Sequence, residues 1–158
     1  FNTTLLQNIN SMFQDALLFD QPIGHWNTPS LRSMTNLFNN AASFNSAATG
    51  NFSTAQVHSL YGVFRDAHAF DQPLQHWDTA NVDNMGYAFR KAYVFNQPLD
   101  QWNTSKVTKM QHTFALASLF NGNVSTWDTS QVTDMTSMFE AAFSFNSSVL
   151  HWLSLIHI

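Results

Sequence analysis

Apolar side chains recur along this chain with a period of 25 residues, and their spacing within each period is also constant. In residues 82–92 the apolar positions Val82, Met85, Phe89 and Ala92 follow one another in steps of three, four and three residues. Such steps place side chains on one face of a helix and do not match the alternation of a strand. The pattern therefore predicts one short amphipathic helix in each period.

The remainder of each period is too short for a second helix. It holds a Phe followed by Asn or Asp, and three periods continue with Gln-Pro and Leu or Ile, as in residues 95–99. Proline removes a backbone donor and disfavours a fully paired strand. We therefore expect a short extended segment, stacked with its counterparts into a narrow parallel ribbon.

Self-similarity at a fixed period is typical of solenoids, in which each repeat stacks on the next. An aromatic residue opens every repeat, and we call this set the aromatic column: Phe1, Trp26, Phe52, Trp77, Trp102 and Trp127. The predicted single array covers residues 1–152, as six repeats and the start of a seventh: 1–25, 26–51, 52–76, 77–101, 102–126 and 127–151. We predict an α/β repeat solenoid with one short helix and one short extended or strand segment per coil.

The aromatic column has two interpretations. It could form an exposed stripe that stacks against sugars, or it could be buried between successive coils, where aromatic side chains bury the most area. Phe replaces Trp in two repeats, which suggests that the polar edge of the indole is not required. We therefore favour the buried column, with a structural role.

A second column contains only Asn and Asp: Asp20, Asn45, Asp71, Asn96, Asn121 and Asn146. Their oxygens are suitable calcium ligands. However, there is one such side chain per coil, four of the six are amides, and no Gly-rich turn accompanies them. We therefore expect these side chains to bond the backbone of the adjacent coil, with a structural role.

A threonine stands two residues after the aromatic position in every repeat, at Thr3 and then at Thr28, Thr54, Thr79, Thr104 and Thr129. Before a predicted helix, the latter five are candidate helix caps, and the loss of one should cost about 1 kcal/mol. A threonine column could also bind ice or a crystal surface. Flat ice-binding faces generally have two regular rows of threonine. Here the position after the threonine changes between Ser, Ala and Pro, so the second row is missing.

The second repeat contains one additional residue. Residues 46–50, Ser-Ala-Ala-Thr-Gly, replace the Gln-Pro-Leu found elsewhere. This sequence predicts a bulge or a small loop, and such an insertion can mark a binding face or be a neutral surface irregularity.

Composition excludes several classes of function. With a formal net charge of -4, the chain offers no basic surface typical of nucleic-acid binding, and no apolar run is long enough for membrane insertion. The chain contains no cysteine, and His25, His76 and His151 lack metal-ligand spacing. No catalytic arrangement is visible outside the repeat, so we predict no enzymatic activity, no cofactor and no metal.

Residues 127–135, followed by Met138-Phe139 and Phe145-Asn146, resemble the BspA-like surface-protein repeat, a family related to leucine-rich repeats. The resemblance covers residues 1–152, and the second repeat departs from it by lacking Trp, Gln and Pro. It implies a leucine-rich-repeat-like solenoid, an extracellular or cell-surface location, and adhesion or protein binding. It supplies no catalytic residues to transfer.

We therefore predict a non-enzymatic binding scaffold of adhesin type, at the cell surface or secreted, with a protein or a glycan on a cell or matrix surface as its partner. Variable positions such as Arg90, Lys91, Lys106 and Lys109 would select that partner. The alternative is a structural stalk or spacer that displays another domain.

The repeat pattern stops after Trp152. Residues 153–158, Leu-Ser-Leu-Ile-His-Ile, look like a translated sequencing adaptor, and we interpret them as a non-native scar. The sequence before them is interpreted as a segment of a longer array.

Overall fold

The computed structural model describes residues 2–47 and 52–154, which form a stack of repeats joined by backbone hydrogen bonds. The N–H groups of residues 60, 62, 64 and 66 donate to the C=O groups of residues 84, 86, 88 and 90, at 2.7–3.0 Å. The same alternate pairing joins residues 85–91 to 109–115 and residues 110–116 to 134–140. Each repeat therefore lies directly against its neighbour in sequence.

Regular helices and strands are nearly absent from this stack. The 3-10 helix Leu150–Ser154 is the one complete helix within the described residues. Strand pairing there is limited to isolated parallel bridges, which are Asn8–Ser33, Ser59–Asn84, Asn84–Lys109 and Lys109–Asp134. The predicted α/β solenoid, leucine-rich-repeat-like and with one helix and one strand segment per coil, is therefore wrong.

Left-handed backbone conformations explain why the apolar spacing does not produce a helix. Tyr87 (φ 60°) and Lys91 (φ 57°) interrupt any right-handed path through residues 82–92. Equivalent pairs occur in the other repeats: Ser11 and Asp15, Asn36 and Asn40, Gly62 and Asp66, His112 and Leu116, Ser137 and Ala141. Between them the chain makes turns, such as the Ala88 N to Met85 O bond of 3.1 Å. Consecutive turns thus return apolar side chains to the core every three or four residues without a helix.

Three columns of aromatic rings fill the core. In each repeat two Phe rings stack on one another with centroids 3.8–4.3 Å apart. Each ring also stacks on its counterpart in the next repeat, at 5.4–5.6 Å in one Phe column and 5.8–5.9 Å in the other. The aromatic column adds a third row, in which Trp26 stacks on Phe52 and the rings from Trp77 to Trp127 continue to Trp152, with spacings of 6.0–6.3 Å. Ring stacking therefore continues through the core from one repeat to the next, beside buried aliphatic side chains.

The predicted helix caps are also wrong, because no helix follows the threonines. These side chains are buried, with exposed fractions of 1–9%. Thr79 Oγ1 donates to the Asn103 carbonyl oxygen at 3.0 Å, and Thr104 Oγ1 donates to the Asp128 carbonyl oxygen at 2.9 Å. Thr28, Thr79 and Thr104 therefore tie one repeat to the next, whereas the buried Thr54 hydroxyl has no hydrogen-bond partner among the described residues. Because all five are buried, they present no exposed surface to ice or a crystal.

Asx turns occupy the place where the helix start was expected. The Ser130 N–H donates to Asp128 Oδ1 at 2.9 Å, and the Ser105 N–H donates to Asn103 Oδ1 at 3.0 Å. Such side-chain to backbone bonds compete with helix formation as well as capping it. A residue pattern that suits a helix start therefore closes a turn here.

Some predicted features lie outside the described residues. These are Phe1 of the aromatic column, residues 48–51, which hold most of the predicted loop of the second repeat, and residues 155–158 of the proposed scar.

Candidate interaction surface

The side chains of the Asn/Asp column bond the backbone of the following repeat. Asp71 Oδ1 accepts from the Asn96 N–H at 2.8 Å, and Asn96 Oδ1 accepts from the Asn121 N–H at 2.8 Å. The same bond joins the other members in order: Asp20 to Asn45, Asn45 to Asp71 and Asn121 to Asn146, at 2.8–2.9 Å. The column thus links successive repeats throughout the stack.

The glutamine of the Gln-Pro motif strengthens this link, a role that sequence reasoning missed. Gln97 Nε2 donates to Asp71 Oδ1 at 2.9 Å, and Gln72 Nε2 donates to Asn45 Oδ1 at 2.9 Å. The signal was present in the sequence, because in three repeats the glutamine directly follows the Asn/Asp position.

Asp71→Ala should lower the free energy of unfolding by about 1–2 kcal/mol, because it leaves the Asn96 N–H without its acceptor and removes one of the two acceptors of Gln97 Nε2, which keeps its 3.2 Å bond to the Asp71 carbonyl oxygen. Urea unfolding followed by circular dichroism measures the change. Asp71→Asn is the matched control, since Asn45, Asn96 and Asn121 make the same bond, and it should lose less than about 0.5 kcal/mol. Equal losses in the two variants would contradict this role.

The aromatic column is buried where the structure describes it, except at Trp26, which is partly exposed. Phe52, Trp77, Trp102 and Trp127 have exposed fractions of 2–3%. Trp102 Nε1 donates to the Leu74 carbonyl oxygen at 3.1 Å, and Trp127 Nε1 donates to the Leu99 carbonyl oxygen at 2.9 Å. The indole N–H is therefore used in these repeats, contrary to the inference from the Phe replacements, and the buried rings offer no surface to a partner.

A turn precedes the second Phe of each repeat. In the second and third repeats it holds Ala-Ser and His-Ala, whereas in the other four repeats it carries exposed large apolar side chains. We call six of them the apolar ridge: Leu17, Leu18, Tyr93, Val94, Leu119 and Phe143. Their exposed fractions range from 38% at Val94 to 88% at Leu18. Successive turns lie against each other, as shown by the Leu119 N to Tyr93 O bond of 3.1 Å and the Ser144 N to Ser118 O bond of 3.2 Å. The ridge therefore runs along one edge of the stack.

Three cationic side chains surround one carboxylate beside this ridge, and we call Arg65, Arg90, Lys91 and Asp66 the basic cluster. Arg65 Nε lies 3.2 Å from Asp66 Oδ2, and Lys91 Nζ lies 3.1 Å from Asp66 Oδ1. Arg90 Nη1 is more distant, at 3.9 Å from Asp66 Oδ2. The four residues come from two adjacent repeats, so stacking creates a cluster that neither repeat holds alone.

Aromatic side chains form a row next to the basic cluster. The Arg65 guanidinium lies 5.5 Å from the centre of the Tyr87 ring, a distance that allows a cation–π interaction. Tyr87 itself contacts Tyr61 at 5.4 Å and His112 at 4.8 Å between ring centroids. The rings thus lie against each other along the stack.

Comparison with known proteins gives one match. The model of a family described as "Mycoplasma protein of unknown function, DUF285" matches residues 1–93 and 58–154. The chain belongs to the DUF285 family. No curated protein and no solved structure matches the DUF285 chain. The family match is consistent with a repeat protein, whereas the finer resemblance to BspA-like repeats is not confirmed by it.

Two carboxyl groups of the DUF285 chain, the exposed Asp128 and the partly exposed Asp134, have lowered pKa values. Hydrogen bonds from the side chain and backbone of Ser130 lower the pKa of Asp128 below 3.8. Backbone and side-chain hydrogen bonds from Thr136 do the same for the pKa of Asp134. Both shifts follow from the turns that these residues close, and they mark no reactive group.

Neither a metal-binding cluster nor a membrane-spanning helix occurs among residues 2–47 and 52–154 of the DUF285 chain. In these residues no group of three His, Cys, Asp or Glu side chains could hold a metal ion. His25, His76 and His151 are exposed and belong to separate repeats. No helix in these ranges has the length and apolar character needed to cross a bilayer.

Proposed function

We propose that this DUF285 chain is a non-enzymatic binding scaffold of adhesin type, displayed at a cell surface or secreted. Its partner is a protein or a glycan on a cell or matrix surface, and the exposed edge of the stack makes the contact. The resemblance to BspA-like surface repeats supports surface display. The observation that carries the proposal is the apolar ridge.

The ridge concentrates exposed apolar side chains in one place. Nine large hydrophobic side chains of the described residues are exposed, and six of them belong to the ridge. The buried core is formed by other side chains, and of the ridge residues only Tyr93 has a ring contact with a neighbouring repeat in the described part of the chain, at His68. The ridge is continuous over the last three described repeats, at Tyr93, Val94, Leu119 and Phe143, and exposed apolar surface that continues in this way is characteristic of interaction sites. A stack that offers such an edge over several repeats suits recognition of an extended partner.

A binding panel with matched variants tests this proposal. The whole chain is immobilised and exposed to glycans, matrix proteins and intact cells. The triple variant Tyr93→Ser, Leu119→Ser and Phe143→Ser should weaken binding at least about tenfold, since each side chain contributes on the order of 1 kcal/mol. The control triple variant Leu5→Ser, Met12→Ser and Leu150→Ser removes apolar side chains that are 44–82% exposed outside the ridge, and it should bind as the original chain does.

Two results would overturn the proposal. One is a folded chain that binds no member of the panel. The other is unchanged binding by the ridge triple variant. Unchanged attachment after loss of the ridge would favour a stalk or spacer that only displays another domain.

A further inference from the structure

The basic cluster is the main concentration of positive charge in the described residues. It holds three of the six Lys and Arg side chains of a chain with a formal net charge of -4. Three cations against one carboxylate leave an excess of two positive charges. The Asp66 side chain is 17% exposed, whereas the cationic side chains are 24–36% exposed. The Asp66 carboxylate therefore lies beneath the three cationic side chains, which form the outer surface of the cluster.

The ring row beside the cluster disfavours a sugar as the ligand. Aromatic residues that bind sugars present a ring face, but here the Tyr87 ring lies between the Tyr61 and His112 rings and beside the Arg65 guanidinium. His68 likewise stacks on Tyr93 at 4.7 Å. The Tyr87 face that stacks on His112 and the Tyr93 face that stacks on His68 are therefore not free for a sugar ring.

The cluster is also continuous with the apolar ridge. Tyr93 and Val94 follow Lys91 by two and three residues, and their exposed fractions are 39% and 38%. A ligand on this surface meets positive charge and exposed apolar side chains together. That combination complements carboxylates that alternate with apolar side chains.

We propose that the basic cluster and the adjoining ridge bind an acidic segment of a partner protein, in which Glu or Asp lies next to apolar side chains. The carboxylates of the segment bond Arg90 and Lys91, while its apolar side chains cover Tyr93 and Val94. The inference rests on the proposed binding function and names the partner class for this part of the stack.

Fluorescence anisotropy with labelled peptides tests the inference on the whole chain. The probe is a synthetic peptide in which Glu alternates with Leu and Phe, and its counterpart carries Lys in place of Glu. The acidic peptide should bind, and the basic one should not. Raising the ionic strength from about 0.1 M to about 1 M should weaken binding, because the screening length falls from about 10 Å to about 3 Å.

Two double variants with equal loss of charge separate a local site from a general charge effect. Arg90→Gln with Lys91→Gln should weaken binding of the acidic peptide about tenfold. Lys106 and Lys109 were grouped with Arg90 and Lys91 on sequence alone, but they belong to neither the basic cluster nor the ridge. Lys106→Gln with Lys109→Gln therefore removes two exposed cations outside the proposed site and should change binding of the acidic peptide less than about twofold. Asp66→Asn should strengthen binding, because it removes the carboxylate that competes for the same cations. This gain does not depend on whether the double variant folds.

Several outcomes would overturn the inference. They are failure of the acidic peptide to bind, equal losses in the two double variants, and binding of a sulfated polysaccharide in preference to the peptide. If the ridge triple variant still abolishes attachment in the panel while the acidic peptide fails, only the partner class is wrong and the binding function stands.

Discussion

Replacement of Phe89 by alanine should lower the free energy of unfolding by about 3–5 kcal/mol. The ring is fully buried and stacks on Phe64 at 5.6 Å, Phe95 at 4.3 Å and Phe114 at 5.4 Å. Its removal opens a cavity where three repeats meet, and it breaks contacts in two directions along the stack. Chemical unfolding monitored by tryptophan fluorescence measures the loss, which is among the largest expected for one substitution in this chain.

Phe143→Ala is the matched control for this prediction. Phe143 is 82% exposed, so the same substitution removes a ring that contributes little to the core, and the expected change is within about 0.5 kcal/mol. A loss at Phe143 as large as the loss at Phe89 would contradict the stacked-ring core.

Gly122→Ala should lower the free energy of unfolding by about 3 kcal/mol, the upper end of the range of about 1–3 kcal/mol that is typical of overpacking. An added Cβ would overlap the Gln97 carbonyl oxygen, and it would lie 2.8 Å from Phe120 Cε2. A backbone oxygen and a buried ring cannot move aside without shifting two repeats. The equivalent place holds Gln72 and Gln97 in other repeats, so the close approach is specific to this part of the stack.

Gly86→Ala provides the comparison for Gly122. The Cβ added there meets the end of the Gln111 side chain, with Cδ at 2.8 Å. A flexible side chain can turn away, so the expected loss is below about 1 kcal/mol. Equal urea midpoints of unfolding for Gly122→Ala and Gly86→Ala would contradict the prediction, because they would show that the close approach of Gly122 to the Gln97 backbone does not limit the size of the side chain at residue 122.

Spatial neighbours could be predicted from this sequence, whereas local conformation could not. In an array of equal repeats the neighbours of a side chain are its counterparts one period away, and Phe64, Phe89 and Phe114 do lie in contact. Steps of three and four residues, however, suit both a helix and a series of tight turns. Whether the chain forms a helix or tight turns depends on positive φ at residues such as Tyr87 and Leu116. Tyr and Leu rarely adopt positive φ, so their presence does not predict it.

The candidate surface was predictable only in part, for a related reason. Arg90 and Lys91 stand out as variable charged positions in the sequence. Their convergence with Arg65 on Asp66 depends on how one repeat is set against the next. The apolar ridge could not be predicted from the sequence. Its turn lies between two core positions of the repeat, the Ala and the second Phe, and the spacing does not show that the side chains between them are exposed.

The tryptophan row gives the molecule an optical property of its own. Neighbouring indole centroids lie 6.2, 6.3 and 6.0 Å apart from Trp77 through Trp102 and Trp127 to Trp152, with ring planes within 8° of parallel. At this distance and orientation the electronic transitions of neighbouring indoles couple, so that excitation is shared along the row. The ultraviolet absorption and fluorescence of the stack therefore depend on the contact between repeats as well as on the burial of each tryptophan. Separation of two repeats should change both signals even where each tryptophan stays buried.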